Sequence, residues 1–208
     1  KIQDQINNID VFGLVIKDYE YFDNVREFLN TNKINYIISS LTTDNLEHYT
    51  KLKNNTSVFI ASWQDKHEIG KLSFDGLVDR KGRLKETYYN VYSENNNHNT
   101  TFNIPEISIL KPAELIYDNI LYAYTAVTYS NKGGWELDSE EAKFNYEWTL
   151  IKCDKYGNEI ALKELAKTPV IKLKIPKNHD DYKLQLSVVK GNQVRQVRTR
   201  LHTPLIDV

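Results

Sequence analysis

Past residue 120 the chain alternates apolar and polar side chains with a period of two, and few folds accept that pattern repeatedly. The alternating stretches are Leu121 to Tyr129, Phe144 to Cys153, Val170 to Ile175, Tyr182 to Val189 and Val194 to Leu201. Successive side chains of a strand point to opposite faces, so each stretch offers one apolar face to bury. Turn signals separate them: Asn131-Lys132-Gly133-Gly134, Lys155-Tyr156-Gly157-Asn158, Pro176 to Asp180, and Lys190-Gly191-Asn192. Strands at this spacing bury their apolar faces against one another, in an antiparallel β-sandwich.

The N-terminal half follows a different pattern. Val11-Phe12-Gly13-Leu14-Val15-Ile16 is a continuous apolar run, as expected of a strand covered on both faces. Tyr21 to Leu29 places Phe22, Val25, Phe28 and Leu29 at helical spacing. A second strand is expected over Ile34 to Leu41, a helix capped by Thr43 or Asp44 over Asp44 to Leu52, a third strand over Ser57 to Trp63, and a helix over Lys85 to Tyr92. Alternating strands and helices imply parallel strands joined by right-handed crossovers. Between the halves, Ser93-Glu94-Asn95-Asn96-Asn97-His98-Asn99-Thr100-Thr101 is polar and aperiodic and reads as a linker. The expected organisation is an α/β unit over 1–93, a linker over 94–104 and the sandwich over 105–208.

Composition excludes several classes. Hydrophobic residues make up 40% and charged residues 26%, so a packed core is within reach and disorder is not expected. The net charge is -1 and the Lys and Arg are scattered, which argues against a nucleic-acid partner. No apolar run approaches the roughly 18 residues of a membrane span. The histidines, His48, His67, His98, His179 and His202, never fall at metal-ligand spacing, and the glycines form no phosphate loop. No metal or cofactor is therefore expected. The lone Cys153 sits in an alternating strand and reads as a packed thiol. The sequence starts at Lys1 and holds no Met, so a fragment or processed product is expected.

Two stretches resemble known families. Trp148 lies mid-strand between Tyr146 and Leu150, and Tyr182 opens the later strand Tyr182-Lys183-Leu184-Gln185-Leu186-Ser187-Val188. Together they resemble immunoglobulin-like and PKD-type modules over residues 105–208, in which such a Trp packs the core and such a Tyr closes a corner. The second stretch is Phe59-Ile60-Ala61-Ser62-Trp63-Gln64-Asp65, followed by Phe74-Asp75-Gly76-Leu77-Val78-Asp79-Arg80-Lys81-Gly82-Arg83-Leu84-Lys85-Glu86-Thr87-Tyr88-Tyr89. It resembles the end of the (β/α)8 (TIM) barrel in glycoside hydrolases of family 2 and its clan. That resemblance implies an α/β plus all-β fold: the last three β/α units of a barrel, followed by an immunoglobulin-like β-sandwich.

Catalysis in that clan requires two carboxylates, one of them at the end of the seventh strand. Here that position reads Ile37-Ile38-Ser39-Ser40-Leu41, without a Glu, so no catalytic residue is assigned. The resemblance makes Trp63 the counterpart of a sugar platform, with packing in a barrel core as the alternative. Gln64, Asp65 and Glu20 are the accompanying carbohydrate-binding residues, with solvated loop polarity as theirs.

Three barrel units would leave an open edge, so the rest of the barrel or a partner chain is expected to complete them. Two functions follow. One is the C-terminal part of a glycoside-hydrolase-like, extracytoplasmic carbohydrate-active protein with a glycan ligand. The other is a non-catalytic binding or scaffold protein of a cell-surface or envelope assembly.

Overall fold

The structure, a computed structural model, describes residues 12–16, 22–32, 36–41, 49, 58–60, 62–68, 70–96, 100–112, 121–130, 132–137, 144–174 and 181–201. The first strands are β1 (Phe12–Ile16), β2 (Tyr36–Leu41) and β3 (Val58–Ile60), which form a parallel sheet in that order. Helix α1 (Phe22–Thr31) lies between β1 and β2 in the chain, and buries Leu29 while leaving Val25 and Phe28 exposed. The helix expected over Asp44 to Leu52 falls outside the described residues apart from Tyr49.

After β3 the chain departs from a barrel. Strands β4 (Lys66–Glu68) and β5 (Lys71–Ser73) form an antiparallel hairpin, and β5 packs near a strand of the sandwich. Helix α2 (Glu86–Asn96) follows, and takes in the start of the stretch read as a linker.

The sandwich is built from β6 (Ile107–Leu110), β7 (Leu121–Ser130), β8 (Gly134–Leu137), β9 (Asn145–Cys153), β10 (Glu159–Ala166), β11 (Val170–Lys174), β12 (Tyr182–Lys190) and β13 (Gln193–Arg200). One sheet has the order β10-β9-β12-β13, the other β11-β7-β6 with β8 paired to β7, and every pairing is antiparallel. Tyr146, Trp148, Leu184, Leu186 and Val188 face Ile107, Ile109, Tyr122, Tyr124, Ala126 and Ile171 in one buried cluster. Trp148 is only 1% exposed, and its indole Nε1 donates to the Thr168 carbonyl at 2.8 Å. Cys153 is a buried thiol.

The expected fold, a partial (β/α)8 or TIM barrel of glycoside-hydrolase type ahead of the sandwich, is therefore corrected. Strands make up 54% of the described residues. Apart from β1-β2-β3 they lie in three antiparallel sheets, with α1 and α2 as the helices among the described residues. The helix expected over Lys85 to Tyr92 is present as α2, but between β3 and α2 the chain forms the β4–β5 hairpin and the Asp79–Arg83 turn, and both lie against the sheet β10-β9-β12-β13 instead of closing a barrel unit. A β-sandwich is compatible with the remaining strands.

Candidate functional site

The stretch Trp63 to Lys85 is held by its own polar residues. Val78 N donates to the Trp63 carbonyl and Asp65 N to the Val78 carbonyl, both at 3.0 Å, so the two backbones run side by side. Gly76 fits there because a Cβ would overlap Asp65 N and the Gln64 carbonyl carbon. Its own N–H donates to Asp65 Oδ1 at 3.0 Å. Lys85 Nζ donates to that same oxygen at 2.5 Å and to the Phe74 carbonyl at 2.8 Å. Asp65 is 5% exposed. Burial pushes its carboxyl pKa up, and the Lys85 charge opposes that shift without cancelling it. Burial likewise pulls the Lys85 ammonium down against the attraction of Asp65. A buried pair balanced in this way contributes geometry more than stability.

Asp79 organises the next turn. Its Oδ1 accepts from Lys81 N and Arg83 N at 2.9 Å, and its Oδ2 takes Arg83 Nε at 2.7 Å. Gly82, at φ 78°, closes the turn by donating to the Asp79 carbonyl at 3.0 Å. Two side chains of this turn then reach across to β9: Arg83 binds Glu147 at 2.9 Å and Lys81 binds it at 3.1 Å. Burial acts to pull the Arg83 pKa down, but the bonds to Asp79 and Glu147 hold it above its ordinary value. Leu84 pairs with the start of β13, donating to the Asn192 carbonyl at 2.8 Å and accepting from Val194 N at 2.9 Å.

Trp63 stands on this fixed frame. Its indole is 62% exposed and meets the ring of Tyr88 edge-on, with centroids 5.8 Å apart. Tyr88 in turn stacks on Tyr92 one helical turn later at 5.9 Å, so α2 supplies a row of rings beside the indole. Gln64 is exposed and donates its Nε2 to the carbonyls of Asp79 and Arg80 at 3.2 and 3.3 Å.

Of the residues expected to meet a sugar, Trp63 and Gln64 therefore lie at the surface, and Asp65 lies beneath the loop holding it in place. Glu20 lies outside the described residues. Tyr88 and Tyr92 were missed as partners of Trp63, although their spacing of four on a helix was a readable signal. Among the described residues no group of three or more His, Cys, Asp or Glu is placed to hold a metal ion. None of their helices is long and apolar enough to cross a membrane. No family model matches the chain, and no curated protein or solved structure matches it either.

Proposed function

We propose that this chain is a non-catalytic carbohydrate-binding module of an extracytoplasmic, carbohydrate-active protein, with Trp63 as its platform. The observation that carries the reading is an indole left 62% exposed on a loop fixed by buried polar contacts. An aromatic face packs against the C–H surface of a pyranose, and nearby amides and hydroxyls can meet its hydroxyl groups. Because the loop is already ordered, binding would carry little further cost of ordering it. A single platform buries little area, so the affinity should be weak, on the order of millimolar.

The test is a titration with oligosaccharides of β-linked glucose, galactose, mannose and N-acetylglucosamine, followed by tryptophan fluorescence. At least one should change the wild-type signal and leave Trp63→Ala unchanged. Silence of the wild type to every sugar would remove the platform reading.

A second reading, a scaffold protein held in an assembly, draws on a different face. Tyr129 and Trp135 pair edge-on at 5.4 Å on the β7–β8 hairpin, and Leu137 is exposed on the same hairpin. Exposed apolar surface of this kind often meets another protein.

A further inference from the structure

We propose that the cleft beneath the covering loop is a second binding site, separate from Trp63, for one hydroxyl-rich, non-cationic molecule the size of a pyranose. The register of the sheet supplies its floor. Core residues Trp148 and Leu186 are paired across β9 and β12, and the residues on either side of each turn to the opposite face. That outer face carries Glu147, Thr149, Gln185 and Ser187, and β10 adds Leu162 and Glu164. The roof comes from Phe74 and the Asp79–Arg83 turn, with Asp65 in the wall. The cleft holds about 220 Å³. That is well above the roughly 10–15 Å³ that admits one water.

Two residues of its lining each keep a buried polar atom without a partner among the described residues: Asp65 at Oδ2, from the covering loop, and Gln185 at Oε1, from the sheet. Both residues are only 5% exposed. An unmet buried polar group is costly to leave unpaired, so the site favours an occupant that supplies hydrogen bonds. Chemistry narrows the occupant. Each carboxylate in the lining already has a cation: Asp65 with Lys85, Asp79 with Arg83, Glu147 with both Arg83 and Lys81, and Glu164 with Lys81. No unpaired carboxylate in the lining calls for a cationic ligand. The Gln185 amide donates from Nε2 to Ser187 Oγ at 3.3 Å, and turning it over would leave the nitrogen unmet in place of the oxygen. A hydroxyl satisfies either orientation, because it both donates and accepts. Phe74 and Leu162 add apolar wall for the C–H face of a ring.

The test is two-dimensional amide NMR of the whole chain with N-acetyl-D-glucosamine, D-glucose and glycerol as probes. At least one probe should shift the Gln185 side-chain amide and the Gly76 backbone amide, in wild type and in Trp63→Ala alike. That second arm separates this site from the platform. Leu162→Trp fills the cleft without removing a hydrogen bond, and should weaken the response at least about tenfold. Gln185→Leu, which removes the unmet amide, should do the same at the Gly76 amide and serves if the first variant does not fold. No shift with any probe would overturn the proposal, as would a response unchanged in the folded variants.

Discussion

Gly76 shows how little freedom the Trp63 loop has. A Cβ there would overlap backbone atoms of Gln64 and Asp65, and backbone cannot rotate away as a side chain can. Gly76→Ala is therefore expected to displace the loop segment carrying Trp63 and to cost about 1–3 kcal/mol. Urea unfolding would measure the loss. A stability equal to wild type would mean that the loop slides freely, and that Trp63 is not held where the contacts place it. The neighbouring acids divide the labour: Asp65 ties three segments together from below, and Asp79 closes a single turn. None of this depends on exposure to a ligand. A motif read as the rim of a sugar pocket is, for most of its residues, the frame on which one indole stands.

The turn from Asp79 to Arg83 is fastened to β9 through Glu147, and this contact has a pH signature. Burial acts to raise the Glu147 pKa, but the Arg83 and Lys81 bonds hold it below the ordinary glutamate value. A lowered carboxylate stabilises the fold above its unfolded value, about pH 4.3, and loses that contribution as pH falls through the folded value. Asp65, raised by burial, acts in the opposite sense, since its charged form is the disfavoured one in the fold. Comparing wild type with Glu147→Gln isolates the first effect. The variant should lose about 1 kcal/mol at neutral pH and show a shallower fall in Tm from pH 5 to pH 3. Identical slopes in the two proteins would show that the fastening carries no charge-dependent stability.

The same elements mark what sequence could reveal. The alternation in β7, β9, β11, β12 and β13 was legible, because a half-buried strand writes its faces into its residues. β10 was not, since Glu159-Ile160-Ala161-Leu162-Lys163-Glu164 has the composition of a helix and is a strand by virtue of pairing with β9. The barrel reading failed in the stretch between β3 and α2, where polar residues that suit a loop ahead of a last helix pair instead as the β4–β5 hairpin. Glu147, the partner that Lys81 and Arg83 share, lies more than sixty residues away, and no local pattern announces it.

At the scale of the whole molecule, β12 is the shared member of two packed layers. Leu184, Leu186 and Val188 enter the sandwich core, while Gln185 and Ser187 are buried beneath the covering loop. The loop has no large core of its own among the described residues; Leu72, Leu77 and Val78 are its buried apolar side chains. Among the described residues its longest-range bonds run to Glu147, Glu164, Asn192 and Val194, all within or beside the sheet. The sandwich should therefore carry the loop through unfolding, and Trp148 is the place to weaken it. Trp148→Ala empties a site that is 1% exposed and should cost about 3–5 kcal/mol, out of a typical total of about 5–15. If loop and sandwich unfold together, the amides of Asp65, Val78 and Leu84 lose protection from hydrogen exchange by the same factor as those of Leu184 and Leu186. That factor is on the order of a hundredfold to a few thousandfold. Loss confined to Leu184 and Leu186, with Asp65 and Val78 unchanged, would mean that the loop keeps its shape without the sheet. The Trp63 platform would then owe its geometry to the polar contacts around Asp65 alone, and the sandwich would serve some end other than holding it.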